Sequence, residues 1–144
     1  MGTISTHACD VTDVNSVEGA IKYIAKSCGG VIDMLWNNAG YQGKIQPTLE
    51  YDPADFENVM NVNITGMFFV LQSVAKRMWK AAAKGDGGGG SSHPVSIVNM
   101  ASVAALRGTP AMVAYASSKA AILFMTFSLA KVRDVLNVTK CYAM

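Results

Sequence analysis

Val31-Ile32-Asp33-Met34-Leu35-Trp36-Asn37-Asn38-Ala39-Gly40 is the stretch on which the fold turns. Val31 to Trp36 is a compact apolar run of strand length holding one acid, and Asn37-Asn38-Ala39-Gly40 is a turn-forming cluster. Just upstream, Val14, Val17, Ile21, Ile24 and Cys28 recur at helical spacing until Gly29-Gly30 stops them. Before that helix a strand is expected over Thr6 to Val11, with Thr12-Asp13 as turn and cap. Downstream, Asp52-Pro53 pairs an N-cap with a proline at the first helical position. Helical periodicity then runs to about Ala83, with a break near Asn61 to Gly66. Gly85 to Ser92 lacks the spacing of a phosphate loop and follows a helix, so it reads as a flexible surface connector, 85–92. Pro94 to Met100 is a continuous β-branched strand, and a last helix spans Ala111 to about Lys131. Strand and helix alternate three times, which implies an α/β layered fold with parallel strands. Ligands in such folds bind outside the carboxyl ends of the strands, where Asp10, Asn38-Ala39-Gly40 and Ala101-Ser102 fall.

Composition narrows the class. Of 144 residues 51% are hydrophobic and only 15% charged, against a charged share of about 25% in ordinary domains. That balance excludes intrinsic disorder. It also implies strands covered on both faces, or a chain that is one piece of a larger molecule. The net charge of +2 is spread along the sequence with no basic stripe, so no nucleic-acid partner is expected. Cys9, Cys28 and Cys141 have neither paired nor zinc-like spacing and read as free thiols of a reducing, cytoplasmic compartment. Apolar runs such as Gly66 to Leu71 and Ala120 to Met125 fall well short of the ~20 residues that span a bilayer, so no membrane partner is expected either.

Tyr115 and Lys119 are four residues apart on one helix and share a face. An ammonium beside a phenol favours its ionised form, and such a phenol can exchange a proton with an alcohol or ketone oxygen. The hydroxyl of Ser102, on the loop after the third strand, can hydrogen-bond the same oxygen. Alone, the Tyr-x-x-x-Lys spacing is weak, since a surface helix with a snorkelling lysine shows it too.

Four further segments accompany the pair: Cys9-Asp10-Val11, Asn37-Asn38-Ala39-Gly40, Asn61-Val62-Asn63-Ile64-Thr65-Gly66 and Ser96-Ile97-Val98-Asn99-Met100-Ala101-Ser102. In this order and spacing, with Tyr115 and Lys119 thirteen and seventeen residues after Ser102, the sequence resembles the short-chain dehydrogenase/reductase family over residues 9 to about 130. The resemblance implies a partial Rossmann-like doubly wound parallel sheet made of the family's third to fifth strands. It implies NAD or NADP as cofactor and Tyr115 as the acid/base. Lys119 would activate that tyrosine and hold the nicotinamide ribose, Ser102 would polarise the substrate oxygen, and Asn63 would support a water chain. Asp10 and Val11 would meet the adenine, and Asn38, Ala39 and Gly40 would underlie the cofactor.

The family's Gly-rich loop, its NAD/NADP-sorting residue and its substrate lid have no counterpart here. Residues 1–144 are therefore expected to be a single, incomplete domain. Without the two strands that separate them in the family's sheet, Thr6 to Val11 would lack partners unless it moved against Val31 to Trp36. Two functions follow. One is an oxidoreductase interconverting a secondary alcohol and a ketone, with Asn38-Ala39-Gly40-Tyr41-Gln42-Gly43, followed by Pro47 and Asp55-Phe56, similar to some polyol dehydrogenases of the family. The other is a truncated, inactive chain acting only as a subunit partner. Either way the helices ending near Ala83 and starting near Ala111 resemble the family's subunit-pairing helices, and a homo-oligomer is expected.

Overall fold

The computed structural model of the chain describes residues 2–84, 95–131 and 138–143; the connector expected at 85–92 lies outside them. Helix α1 (Val14–Ser27) begins where the Asp13 carboxylate accepts the Asn15 N–H, and it buries Val17, Ala20, Ile21 and Ala25. Strand β1 (Met34–Asn37) starts three residues later than the apolar run suggests. Helix α2 (Pro53–Met60) is capped by Asp52, whose side chain accepts the Ala54 N–H. It continues through a π-helical turn, Asn61–Gly66, into α3 (Met67–Lys84). That turn is the break expected in the helical pattern: one extra residue per turn re-aims the side chains on either side of it.

Strand β2 (Val95–Asn99) pairs in parallel with β1, setting Leu35 opposite Ile97 and Asn37 opposite Asn99. A short α4 (Ala104–Arg107) and a long α5 (Val113–Ala130) follow, and β3 (Val138–Ala143) pairs in parallel with the other edge of β2. The strand order is β1-β2-β3. This is a partial Rossmann-like sheet, with one difference from the expected set of strands. Residues 6–11 form no strand, whereas 138–143 do. The reason is the missing pairing: an extended segment buried without hydrogen-bonding neighbours is costly, so residues 2–10 lie exposed. Among them, Asp10 spends its N–H on Ser16 Oγ at 2.9 Å.

The core joins Val17 and Ile21 of α1, Leu71, Val74, Ala75 and Met78 of α3, and Val95 and Ile97 of β2. Each fully buried aliphatic side chain there contributes about 1.5–3 kcal/mol. Beneath the carboxyl ends of the strands lies a polar ladder. Asn37 Nδ2 donates to the Met67 carbonyl at 2.9 Å and to Asn99 Oδ1 at 3.3 Å. Asn99 Nδ2 donates to Thr126 Oγ1 at 3.1 Å, which itself bonds back to the Ile122 carbonyl at 2.8 Å. These bonds tie both strands to α3 and α5 with buried amides satisfied. Coverage of both faces, expected from composition, does not hold at β1: Met34 and Trp36, on the face away from Leu35, are 54% and 56% exposed.

By length and composition α5 could cross a membrane. In the fold it instead packs against β2, β3 and α2 and buries Ser118, Lys119 and Thr126.

Candidate active site

The loops at the carboxyl ends of β1 and β2 meet the first two turns of α5 around a cleft of about 290 Å³. It is lined by Asn38, Gly40, Gln42, Met100, Ala101, Tyr115 and Lys119. Two larger grooves lie elsewhere, one of about 480 Å³ between α1 and α3 and one of about 360 Å³ beside α3 and Leu129. The first is edged by Lys22, Lys76, Arg77 and Lys80, the second is almost wholly apolar, and neither contains the tyrosine–lysine pair. Chemistry, not size, identifies the site.

Lys119 is 4% exposed. Its Nζ donates to the Met100 carbonyl at 2.7 Å and stands 5.6 Å from the centroid of the Tyr115 ring. Burial pushes its pKa below the ordinary lysine value. The Met100 carbonyl is its one hydrogen-bond partner among the described residues. An ammonium carries three donors, so the cleft floor offers N–H groups in need of acceptors, which suits vicinal ribose hydroxyls. Gly40 lies against the same groups: a Cβ there would stand 3.4 Å from both Lys119 Nζ and Asn63 Oδ1, at ordinary contact distance.

Asn63, wholly buried, is a clamp. Its Oδ1 accepts the Tyr41 N–H at 2.6 Å, while Nδ2 donates to the Tyr41 carbonyl at 2.9 Å and to Ser118 Oγ at 2.9 Å. Ser118 Oγ in turn donates to the Tyr115 carbonyl at 2.8 Å. Both side-chain N–H groups of Asn63 are thus committed within the protein.

The other residues singled out from sequence are less tightly gathered. Ser102 is partly buried directly after Ala101, where its Oγ accepts the Ala104 N–H at 3.2 Å; it is not itself among the lining residues. Nor are Ala39, Asp10 and Val11. Asp10 is exposed, and its carboxylate accepts both the Thr12 hydroxyl and the Thr12 N–H, which hold its pKa below the usual aspartate value. Val11 packs on the π-helical turn, where a Cβ at Gly66 would meet Val11 Cγ2 at 2.9 Å and the Val11 carbonyl oxygen at 3.0 Å.

Sequence reading missed Ser118, whose signal is its position one turn after Tyr115. It placed Asp55 only in the polyol-dehydrogenase resemblance and gave no structural part to this buried carboxylate at the start of α2, which ties down the loop carrying Gln42. An acid in a first helical turn is ordinarily read as a partner of the helix dipole, which hides any other use.

Comparison with known proteins identifies the family. A family model described as short chain dehydrogenase matches residues 2–139. L-2,3-butanediol dehydrogenase of Corynebacterium glutamicum is 34% identical over 122 residues, covering 85% of this chain and 43% of that protein. D-threitol dehydrogenase of Mycolicibacterium smegmatis is 37% identical over 123 residues, covering 85% of this chain and 42% of the relative. Among solved structures, an NAD+-bound xylitol dehydrogenase superposes with a TM-score of 0.76 at 38% identity, over 87% of this chain and 44% of that one. The chain spans less than half the length of these proteins.

Proposed function

The chain belongs to the short-chain dehydrogenase family, and from that premise we propose that it serves an NAD(P)-dependent oxidoreductase interconverting a secondary alcohol and a ketone. The observation that carries the reading is the buried Lys119 beneath Tyr115 in a cleft at the carboxyl ends of parallel strands. When bound, the nicotinamide supplies the hydride acceptor or donor. Tyr115 then takes the proton from the alcohol oxygen on oxidation and returns it on reduction. Lys119 stabilises negative charge developing at that phenol and holds the ribose through its uncommitted N–H groups. Ser102 keeps its hydroxyl proton for the substrate oxygen, since its Oγ acts as acceptor toward Ala104. Asn38, Ala39 and Gly40 form the floor beneath the cofactor, and Asp10 with Val11 marks its adenine end. Asn63 acts by fixing Tyr41 and, through Ser118, the first turn of α5. The cofactor is NAD or NADP, since similar solved structures are described as NAD+-bound and NADP-bound.

A sugar alcohol or other diol is the substrate class we favour, on the similarity to relatives named for threitol and 2,3-butanediol. We place the protein in the cytoplasm, where the exposed thiols of Cys9 and Cys28 stay reduced. It forms a homo-oligomer through the outer faces of α3 and α5, where Phe68, Trp79, Phe124 and Phe127 are exposed. In Tyr115→Phe, turnover should fall by about 100-fold or more with the melting temperature unchanged; retained turnover overturns the assignment. The exposed apolar helices also favour a second reading, a non-catalytic subunit partner. Titration with NADH and NADPH separates the two, because tight binding contradicts the second.

A further inference from the structure

The segment between Tyr41 and Asp52 has almost no regular structure, yet it is tied to one point. Asp55 Oδ1 accepts the Tyr41 hydroxyl at 2.9 Å. Its Oδ2 accepts the Tyr51 hydroxyl at 2.8 Å and the Lys44 N–H at 2.8 Å. Asp55 is 8% exposed. Gly43 sits against the knot with φ +73; a Cβ there would be 2.5 Å from Val59 Cγ2, 2.6 Å from the Tyr51 hydroxyl and 2.9 Å from Asp55 Oδ2. A second tether, Lys44 Nζ to Asp52 Oδ2 at 2.8 Å, is exposed. Between the Tyr41 backbone, clamped by Asn63, and Gly43, pressed on the knot, the chain must carry Gln42 at the rim of the cleft.

We infer that Asp55 is a positioning residue that holds the 41–44 turn in place, so that Gln42 presents its amide to a second hydroxyl adjacent to the reacting carbinol. The substrate half of this rests on the oxidoreductase reading. Tyr115 and Lys119 are engaged by the reacting oxygen and the ribose, and Gly40, Met100 and Ala101 contribute no polar side chain. With Asn38 assigned to the floor beneath the cofactor, Gln42 is the lining side chain left to meet a further hydroxyl at the rim, and an amide can serve as donor or acceptor to it. Three hydrogen bonds on one carboxylate fix the turn, because the buried Asp55 would otherwise hold an unsatisfied charge.

Three readouts test the inference. In Asp55→Asn, which keeps the shape and removes the charge, the Lys44 amide should exchange with deuterium about tenfold faster at neutral pH. Absorbance titration should show the Tyr41 and Tyr51 phenols ionising earlier than in the parent. Exchange and titration both unchanged overturn the positioning role. In turnover, the ratio of kcat/KM for 2,3-butanediol to that for 2-butanol should fall about fivefold or more in Gln42→Leu, and in the same direction in Asp55→Asn. A ratio kept within about twofold in Gln42→Leu overturns selection of the second hydroxyl. A parent that turns over neither alcohol sinks the oxidoreductase reading, and with it selection by Gln42. Exchange and titration still decide whether Asp55 positions the turn.

Discussion

Lys119 stands where a positive charge is disfavoured, held by one carbonyl and otherwise enclosed. A group kept there at the expense of stability is what a site with a chemical task contains. Lys119→Met fills the same space without a charge to desolvate and should stabilise the fold by about 1 kcal/mol, while abolishing turnover. Burial lowers the folded pKa of this lysine, so its charge penalty is relieved as pH rises through that value. The gain from Lys119→Met should therefore shrink at alkaline pH, as paired thermal melts would show. Gly43 is constrained in the opposite sense. Its φ of +73 and the approach of Val59, Tyr51 and Asp55 leave no room for a methyl, so Gly43→Ala should cost about 2 kcal/mol or more in chemical denaturation.

At the scale of elements, the loop tied to Asp55 should hold over a wide but bounded pH range. The Lys44 N–H, then the Tyr51 and Tyr41 hydroxyls, hold the Asp55 pKa below the usual aspartate value. Its contribution is thus full above the unfolded carboxylate value of about 3.9 and is lost as pH falls through the lower folded value. Burial first, and the bond to Asp55 second, push Tyr51 up to about 12. That contribution is full below the unfolded phenol value of about 10 and fades above it. Near-ultraviolet circular dichroism of the tyrosines should accordingly be flat from about pH 5 to 9 and change at both extremes. The element-level pattern was largely legible in sequence. The capped starts at Asp13 and Asp52, the stop at Gly29-Gly30 and the break at Asn61 to Gly66 are all local signals. The Asp55 knot was not, because Tyr41, Lys44 and Tyr51 converge on it only after the loop folds back.

At the scale of the whole molecule, apolar side chains are exposed among the described residues on the outer faces of α3 and α5 and on the Met34/Trp36 face of β1. An edge-to-face pair, Phe124 on Phe127 with centroids 5.9 Å apart, stands on the first. If α3 and α5 pair subunits as proposed, Phe124→Glu should shift the protein to a smaller species in sedimentation, weakening association by about tenfold or more, while leaving Lys119 and its bond to Met100 untouched. An unchanged sedimentation coefficient would place the interface elsewhere.

Caps, periodicity and spaced motifs act over a few residues, so α1, α2, α3, α5, the strands β1 and β2, and the family were legible in the amino-acid order alone. Tertiary structure decided the rest. Strand identity depends on which neighbours can share hydrogen bonds, so the stretch from Thr6 to Val11, without parallel partners, stays open while Val138–Ala143 pairs with β2. The same dependence made the Asn63 side chain a clamp on the Tyr41 backbone and Asp55 an anchor. A polar side chain takes its role from the partners that folding brings within about 3 Å, and those partners are distant in sequence.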